Sequence, residues 1–504
     1  MAYLSSELPE RDAALPCSCP ADSTAASVRL ALSRKALLQD HANRFAASRI
    51  RWREKAAFFH DEDERYLRFL IPPGRRVLEI GCGIGDTLAS LAPSHGVGID
   101  FSAAQIEIAK GRHPDLTFVE ADAEDPATYA ALEGPFDFIL VLDTIGSLDD
   151  CQSFIENLHP LCTRNTRVVF GYFSHLWYPI LKLAETLGMR MPHPDQNVLS
   201  PADLRNLVSL ADFDPVKSEQ RVLLPAALLG IGRFVNRYVS VLPGLRALSL
   251  RHYLVARSMR CAHDDISSVT IVIPARNERG NIEPAVRRIA GFCADIEIIF
   301  VEGHSSDGTF EEMERVKRTF DGLDLKTMKQ PGKGKADAVF AAFDVARGDV
   351  LMILDADLTM PPEQLCKFYE ALRSGKGEFI NGSRLVYPMD EGAMRFLNLI
   401  ANKTFSYLFS WLLNQRYTDT LCGTKVLRRA DYQRLKAGKA YFGDFDPFGD
   451  FDLIFGASKL NLKSVDLPIR YAARNYGETQ ISRFSHGWML LKMVIFAFFK
   501  IKAV

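Results

Sequence analysis

No stretch of this sequence is apolar over the length that a membrane-spanning helix requires, which is about eighteen residues. The nearest is the C-terminal run GWMLLKMVIFAFFKIKAV, which Lys492, Lys500 and Lys502 interrupt. The first twenty residues hold acidic side chains and no apolar run, so we expect no secretory signal there. We therefore expect a chain that lies on a membrane surface rather than crossing the bilayer.

An excess of charge of either sign is also missing. The 61 Lys and Arg residues stand against 62 Asp and Glu residues, which leaves a formal net charge of −1. Proteins dedicated to nucleic acids usually carry a basic excess. We therefore expect no nucleic-acid partner.

Clustered cysteines are absent as well. The nine cysteines are odd in number and scattered, and only Cys17 and Cys19 stand close together. Their C-x-C spacing lacks the second pair of ligands that a zinc site needs. We expect free thiols in a reducing cytoplasm.

Short β-rich runs alternate with helix-length stretches in two separate series. A chain of 504 residues is too long for one ordinary core, so two domains are expected. The first series begins near Arg76 and reads RRVLEI, HGVGID, LTFVEAD, FDFILVLD and RVVFGYF. The second begins near Val269 and reads SVTIVIP, IEIIFVEG, LDLKTM and DVLMILDAD. Each series predicts an α/β domain with a mostly parallel sheet.

These patterns divide the chain into four parts. We predict a variable, partly disordered segment over 1–45, a first domain over 46–220, a basic helical cover or linker over 221–265, and a second domain over 266–504. The stretch from Gln220 to His263 holds seven arginines and no acid. Two interpretations stay open for it: a basic amphipathic segment on a membrane surface, or a helical cover of the first domain that runs into the linker.

The first domain carries a glycine-rich loop directly after its first strand. The spacing is E-x-G-x-G-x-G, and Asp86 stands where G-x-G-x-x-G requires its third glycine. Glycines at a strand-to-helix turn let a nucleotide approach the backbone. Asp100 ends the second strand and Asp122 follows the third, where carboxylates can reach ribose and adenine groups. The loop residues are Glu79, Gly81, Gly83 and Gly85.

By these residues the chain resembles the class I S-adenosylmethionine-dependent methyltransferases over about 50–215. The resemblance implies that Gly81–Gly85 cradles the methionine part of the cofactor, with Asp100 on the ribose, Asp122 near adenine and Asp143 facing the pocket. If the methyl acceptor is a hydroxyl, Tyr172 or His175 is a candidate base, although a structural role for the imidazole stays open. The sequence does not identify the acceptor.

In the second domain, polar residues follow three successive strands. The run P-x-x-N-E comes after the first strand, with Pro274, Asn277 and Glu278; Glu302 follows the next. The D-x-D pair Asp355 and Asp357 follows the apolar run MIL. Strand ends of an open α/β sheet form the ligand crevice, and paired carboxylates suit Mg²⁺ or Mn²⁺ that bridges diphosphate oxygens.

This order and spacing is similar to that of the family-two glycosyltransferases of GT-A fold, closest to the dolichyl- or polyprenyl-phosphate sugar synthases, over about 266–500. The resemblance implies a metal on Asp355 and Asp357 and a nucleotide-sugar pocket formed by Pro274, Asn277, Glu278, Glu302, Lys333 and Asp355, with Lys335 also near the diphosphate. Gly303 stands where the family usually has a second acid, so the donor nucleotide, GDP- or UDP-linked, stays open.

The same resemblance implies an acceptor that carries a phosphate. Arginine donates bidentate hydrogen bonds to phosphate oxygens, and three arginines match positions where relatives bind the acceptor phosphate: Arg384, Arg395 and Arg474. The implied catalytic set is Asp355, Asp357, Arg384 and Asp450, and a structural role for Asp450 stays open. A polyprenyl phosphate is the expected acceptor.

Two segments, 391–413 and 485–504, are expected to form amphipathic interfacial helices. In the first, polar residues recur every three to four positions and form one narrow stripe on an otherwise apolar helix: Arg395, Asn398, Asn402, Ser406 and Ser410. So broad an apolar surface indicates either a helix in the membrane interface or burial against another subunit. A homo-oligomer is therefore left open.

The fold expected is two Rossmann-like α/β domains, a methyltransferase sheet followed by a GT-A domain, plus the interfacial helices. The leading hypothesis is a bifunctional enzyme that transfers a sugar to a polyprenyl phosphate and methylates a sugar or glycolipid. We expect it in the cytoplasm, peripheral on the inner face of the membrane. The alternatives are a soluble transferase acting on a sugar or protein hydroxyl, and a first domain that is a non-catalytic scaffold.

Overall fold

The computed structural model describes residues 21–504 apart from 195, 264–265, 388–395, 443–448, 473, 475 and 477–482. Two sheets of seven strands each organise the chain. Every strand run predicted from the sequence forms a strand, with ends that agree within a few residues. The predicted fold class, two Rossmann-like α/β domains, is confirmed.

The first sheet has the order β3-β2-β1-β4-β5-β7-β6. Strands β1 to β5 are parallel, and β7 is antiparallel to both β5 and β6. Successive β1 residues alternate between the two cores, Val77 on one face and Leu78 on the other, as the pleat dictates. The strands are β1 Arg76–Ile80, β2 His95–Asp100, β3 Thr117–Glu120, β4 Phe138–Leu142, β5 Arg167–Phe173, β6 Phe213–Arg221 and β7 Arg251–Ser258.

Nine α-helices accompany this sheet in the described part of the chain. The longest, α1, runs through the boundary predicted at residue 45 and packs on α4. Residues 1–20 of the predicted variable segment lie outside the described residues. The helices are α1 Ala21–Lys55, α2 Ala57–Leu70, α3 Asp86–Ser90, α4 Ala103–Arg112, α5 Pro126–Ala130, α6 Cys151–Glu156, α7 Tyr178–Thr186, α8 Pro201–Leu210 and α9 Ile231–Phe234.

The structure differs from the predicted helical linker over 221–265. Strand β7 lies inside that segment and is buried along its whole length, between β5 and β6. Arg251 and Arg257 tolerate burial because Asp63 and Asp214 pair with them. The helical part of the prediction holds only for the stretch before β7, which contains α9.

The second sheet has the order β10-β9-β8-β11-β13-β12-β14. All neighbours are parallel except β13, which is antiparallel to β11 and β12. The strands are β8 Ser268–Ala275, β9 Asp295–Glu302, β10 Asp324–Lys329, β11 Val350–Ile353, β12 Phe379–Ser383, β13 Lys425–Arg428 and β14 Ser464–Pro468. The helices are α10 Ile282–Arg288, α11 Thr309–Thr319, α12 Lys335–Val345, α13 Leu365–Arg373, α14 Phe396–Leu413, α15 Arg429–Ala437, α16 Asp450–Lys459 and α17 Arg483–Ala497, which a π-turn, Phe498–Lys502, extends.

Where its side chains are described, the polar stripe of α14 points into the protein. Asn402 and Ser406 are buried, and the Ser406 hydroxyl donates to the Thr418 carbonyl at 2.9 Å. Ile400 and Tyr407, by contrast, are 48% and 65% exposed. Part of the apolar surface of α14 therefore faces outward. Among the described residues, no helix combines the length and the apolar character needed to span a bilayer.

The two domains meet through buried charges. Arg167, at the start of β5, pairs with Glu378 at 2.7 Å, and both side chains are almost fully buried. The C-terminal end of the chain returns to the first domain, where Lys502 pairs with Glu219 at 3.0 Å. Such pairs require a dry contact with fixed geometry, so the domains form one packed unit.

Candidate active sites

The loop after β1 follows a left-handed path at three glycines. Gly81, Gly83 and Gly85 have φ angles of 75°, 56° and 80°, a region that glycine enters without steric cost. A Cβ on Gly81 would lie 2.0 Å from Thr144 Oγ1. The loop therefore requires glycine both for its path and for its close contact with Thr144, two residues past the end of β4.

Asp100 holds this loop against the end of β2. Its carboxylate oxygens accept hydrogen bonds from the Gly83 and Ser102 backbone N–H groups, both at 2.9 Å. The side chain is buried, and burial raises its pKa. The structure thus brings the predicted ribose-binding residue and the predicted glycine loop into direct contact.

Two buried oxygens near the loop have no hydrogen-bond partner in the described part of the chain. They are Glu79 Oε2 and Gln105 Oε1. A Cβ on Gly83 would lie 3.0 Å from the Gln105 oxygen. Unpaired buried acceptors cost free energy, and donor groups of a ligand, such as an ammonium, would satisfy them. The loop therefore fits a cofactor with an amino-acid end, as S-adenosylmethionine has.

Replacing Glu79 with glutamine is expected to stabilise the cofactor-free protein at alkaline pH. Burial raises the pKa of Glu79 to about 8, so the folded state binds more protons than the unfolded state above the ordinary glutamate pKa. Stability then falls as pH rises toward about 8. The thermal unfolding midpoint of Glu79→Gln should exceed that of wild type by an amount that grows between about pH 5 and about pH 8. A constant gap would contradict the buried, protonated carboxyl.

Helix α1 covers this site, a contribution that no motif revealed. Gln39 Nε2 donates to the Phe101 carbonyl at 2.8 Å, just past β2. Lys35 pairs with Asp122, the predicted adenine-side acid, and with Glu124 at 3.2 Å. The helix thus lies across the carboxyl ends of β2 and β3. Its polar side chains gave no sign of this position in the sequence, because the residues they contact are distant along the chain.

A cavity of about 60 Å³ opens beside Asp143, past the ends of β4 and β5. Asp143 is exposed, has a φ of 58°, and pairs with Arg251 of β7. Of the two candidate bases in the lining, Tyr172 has its pKa raised to about 12 by burial, so it stays protonated. His175 Nδ1 is buried with no partner within the described residues. His175 is the better candidate.

In the second domain, the loop after β8 is held by the segment after β9. Asn277 has a φ of 56°, and its side-chain oxygen accepts from Ser306 N at 2.9 Å. Glu278 is buried, and its backbone N–H donates to Thr309 Oγ1 at 3.1 Å. Both predicted donor-side residues therefore lie at the carboxyl edge of the sheet.

Each carboxylate of the D-x-D pair faces a cation. Lys335 Nζ lies 2.7 Å from Asp355 Oδ1, and Arg474 Nη2 lies 2.7 Å from Asp357 Oδ2. Burial alone would raise the pKa of Asp355, but the Lys335 ammonium holds it below its usual value. Arg474 also reaches Glu278 at 3.2 Å. The chemistry of these hard oxygen donors fits Mg²⁺ or Mn²⁺.

Asp450 and Gly423 complete the surroundings of Asp355. Asp450, the first residue of α16, lies 4.0 Å from Lys335 Nζ and is buried, which raises its pKa. A Cβ on Gly423 would lie 2.1 Å from Asp355 Oδ2 and 2.3 Å from Lys335 Nζ. Glycine is thus required where the segment before β13 approaches the carboxylates, and the sequence pattern alone did not reveal this.

The three predicted acceptor arginines have different surroundings. Arg474 joins the D-x-D pair, as described. Arg384 makes a bidentate pair with Asp419, at 2.6 and 2.8 Å, through Nε and Nη2, which form one edge of its guanidinium. Arg395 lies outside the described residues.

The remaining donor-side predictions lie at the same edge. Pro274 is the penultimate residue of β8, and Glu302 ends β9, where its carboxylate accepts from Ser305 N at 2.5 Å. Lys333 is exposed. A Cβ on Gly303 would lie 3.2 Å from Gln330 Oε1, so a larger residue there would require the Gln330 side chain to shift.

Comparison with known proteins finds different families for the first and the second domain. The family model described as "Glycosyl transferase family 2" matches residues 270–435, and a model described as "Methyltransferase domain" matches residues 49–218. A dolichol-phosphate mannosyltransferase from Pyrococcus furiosus is 36% identical over 120 residues, which is 23% of this chain and 33% of the relative. An undecaprenyl-phosphate 4-deoxy-4-formamido-L-arabinose transferase from Pectobacterium carotovorum is 24% identical over 223 residues, 44% of this chain and 64% of the relative.

Among solved structures, a mannosyltransferase from Pyrobaculum calidifontis in complex with GDP-Man and Mn²⁺ is 19% identical, with a TM-score of 0.32. The match covers 44% of this chain and 59% of that one. The chain spans less than two thirds of the length of the curated relatives named above. The family models, the two sheets and the two sets of strand-end residues agree: this chain joins a methyltransferase domain to a domain of glycosyl transferase family 2.

Proposed function

We propose that the second domain transfers a sugar from a GDP- or UDP-linked donor to a polyprenyl phosphate. The observation that carries this proposal is the D-x-D pair at the end of β11, with each carboxylate beside a cation. A bound Mg²⁺ or Mn²⁺ would neutralise charge on the departing diphosphate. The names of the similar proteins, which are dolichol- and undecaprenyl-phosphate transferases, support the acceptor class.

The chain's own residues divide into a donor side and an acceptor side. Pro274, Asn277, Glu278 and Glu302 line the donor side, and Lys335 is closer to the carboxylates than exposed Lys333. On the acceptor side, Arg474 is our choice to hold the phosphate, with Arg395 as a second candidate. Arg384 stays a third candidate, because its pair with Asp419 uses only Nε and Nη2 among the five N–H donors of the guanidinium.

A phosphate acceptor needs no protein base. A phosphate monoester has a second pKa of about 6 and arrives ionised, so orientation and electrostatics suffice for attack. The acceptor oxygen forms a bond to the anomeric carbon while the bond to the diphosphate oxygen breaks. The nucleoside diphosphate leaves, and the anomeric centre inverts.

A nucleotide-sugar panel tests this function. The full chain is incubated with each donor and undecaprenyl phosphate, with and without Mn²⁺, and the organic phase is assayed for sugar. We expect lipid-extractable product with one or two donors only. Product on a sugar or protein hydroxyl, with none in the lipid phase, would favour the alternative acceptor class, for which Asp450 is the nearby carboxyl that could serve as base.

For the first domain we infer S-adenosylmethionine-dependent methyl transfer. Asp100 would accept the ribose hydroxyls, Asp122 would lie near adenine, and Glu79 with Gln105 would accept from the methionine ammonium. The cavity beside Asp143 would receive the methyl acceptor, with His175 as the base for a hydroxyl. The protein would act mainly by aligning the acceptor with the sulfonium methyl. We place both reactions at the inner face of the membrane.

Replacing Asp100 with asparagine is expected to weaken S-adenosylmethionine binding by about 10- to 100-fold, because each hydrogen bond to a charged group contributes about 1.5–3 kcal/mol. Titration calorimetry measures the affinity, and Asp115→Asn, an exposed acid before β3, is the matched control. If wild type binds no cofactor, the first domain is a scaffold.

A further inference from the structure

Three segments that are distant in sequence share an unusual composition. Residues 222–250, 396–418 and 483–504 contain no Asp or Glu, although each holds Arg or Lys side chains. The first precedes β7 in the first domain, and the other two contain α14 and α17 of the second. A protein with balanced overall charge thus has three stretches from which carboxylates are excluded.

Contacts join these segments into one surface. Trp411 Nε1 of α14 donates to the Val241 carbonyl at 2.8 Å. The Tyr238 ring lies 6.4 Å from the Phe498 ring, which in turn lies 5.9 Å from Trp411. Arg237 Nε donates to the Ala503 carbonyl at 2.8 Å. We call the surface formed by the three segments the acid-free face.

Large apolar side chains on this face are exposed. Leu229 is fully exposed, at 105%, and the others that matter most are Leu228, Ile231, Phe234, Ile495 and Phe499, each at least half exposed. Exposed apolar surface of this density usually marks an interaction site.

The tip of the face is a turn that places two leucines in the left-handed region. Leu228 has a φ of 39° and Leu229 a φ of 54°. This conformation costs about 1–2 kcal/mol for a residue with a Cβ, and neither side chain recovers that cost by burial. A retained strained turn that presents leucine outward indicates a contact absent from the isolated chain.

Cations accompany the apolar side chains. The Arg233 side chain is 62% exposed, with a long ion pair of 3.8 Å to Glu62. Lys403 and Lys492 are also exposed. Apolar residues beside cations on helices are typical of segments that bind anionic lipid surfaces.

We propose that the acid-free face docks on an anionic bilayer, with the Leu228–Leu229 turn inserted among the lipid headgroups. This docking rests on the proposed function in one respect: the polyprenyl phosphate acceptor resides in that bilayer. A two-fold dimer is disfavoured, because an isologous contact would place the same cationic patch against itself. The first domain thus contributes the insertion point, through the segment before β7.

The test measures sedimentation of the full chain with vesicles of phosphatidylcholine alone, or of phosphatidylcholine and phosphatidylglycerol in equal parts. The variant is Leu228→Asn/Leu229→Asn. Asparagine adopts the left-handed conformation more readily than leucine, so folding should be retained or improved, and thermal unfolding checks this. The matched control is Leu210→Asn on α8, which is 55% exposed, as Leu228 is.

We expect wild type and the Leu210 variant to bind the anionic vesicles preferentially, and the double variant to bind about tenfold more weakly. Equal binding by the double variant would overturn the proposal. So would a wild-type dimer in gel filtration that the double variant abolishes, because the face would then be a subunit interface.

Sugar transfer to a detergent-dispersed polyprenyl phosphate tests the proposed reaction separately from membrane docking. The double variant should transfer sugar to the dispersed acceptor at the wild-type rate but lose transfer to acceptor in anionic vesicles. Vesicle binding without transfer to any acceptor would refute the proposed reaction and leave docking supported. Equal transfer by wild type and the double variant to acceptor in vesicles would refute the docking role.

Discussion

Replacing Asp357 with alanine is expected to lower the rate of sugar transfer by about 100- to 1000-fold, the usual effect of losing one electrostatic group at a developing charge. The Asp357 carboxylate lies at the end of β11 and is oriented from both sides, since Oδ1 accepts from Thr359 Oγ1 at 2.8 Å and Oδ2 from Arg474. Its removal would delete one hard oxygen ligand and leave Arg474 without its partner there.

The design carries two controls. Asp349→Ala removes an exposed carboxylate from the opposite end of the same strand, where it bonds to Ser268, and should leave the rate unchanged. Cofactor affinity of the first domain, measured by calorimetry on the same Asp357 variant, should also be unchanged. A variant that keeps wild-type transfer would show that the D-x-D pair is not part of the reacting site.

Replacing Arg167 with methionine is expected to lower the free energy of unfolding by about 3–5 kcal/mol, because breaking a buried pair leaves an uncompensated charge. Glu378 would lose Arg167, its cation at 2.7 Å, and keep the more distant Arg257 at 3.9 Å. Arg167 also donates to the Asn461 carbonyl at 2.7 Å, so both domains lose a contact. Urea unfolding followed by circular dichroism measures the change.

The double variant Arg167→Met/Glu378→Met is the control for this prediction. Replacing both charges with apolar groups removes the desolvation cost, so most of the stability should return. A double variant less stable than Arg167→Met would contradict the uncompensated charge as the cause.

The same pair gives a pH dependence with a defined sign. Burial alone would raise the pKa of Glu378, but Arg167 and Arg257 hold it below its usual 4.5. A lowered carboxyl pKa stabilises the fold above the unfolded-state value, and this contribution is lost as pH falls through the folded-state pKa. The free energy of unfolding of wild type, relative to that of the double variant, should therefore fall as the pH is lowered through this acid range.

Several elements were predictable because their signals are local. Nine strand runs were found from short apolar patterns, and the glycine loop Gly81–Gly85 and the D-x-D pair were found from spacing. In each case the residues that define the feature are neighbours in the chain. The positions of Asp100 and Asp357 at strand ends followed from the same patterns, since parallel strands place their carboxyl ends at one edge.

The arginine-rich segment before the second domain was less predictable. Its composition suggested a helical linker, yet Arg251–Ser258 is the strand between β5 and β6. Arg251 is buried because Asp63, 188 residues earlier, accepts from it. A pattern analysis assigns arginine to solvent or to a membrane surface, since it cannot show that a distant carboxylate compensates the charge.

The sequence by itself determined the two α/β series, the two strand-end motifs and the acid-free segments, because these are properties of neighbouring residues. Only the tertiary structure decided that Lys335 and Arg474 face the D-x-D pair, that helix α1 covers the glycine loop, and that the acid-free segments meet in one face. Each of these depends on contacts across long stretches of chain, which are set by packing of whole domains and leave no local signature in the sequence.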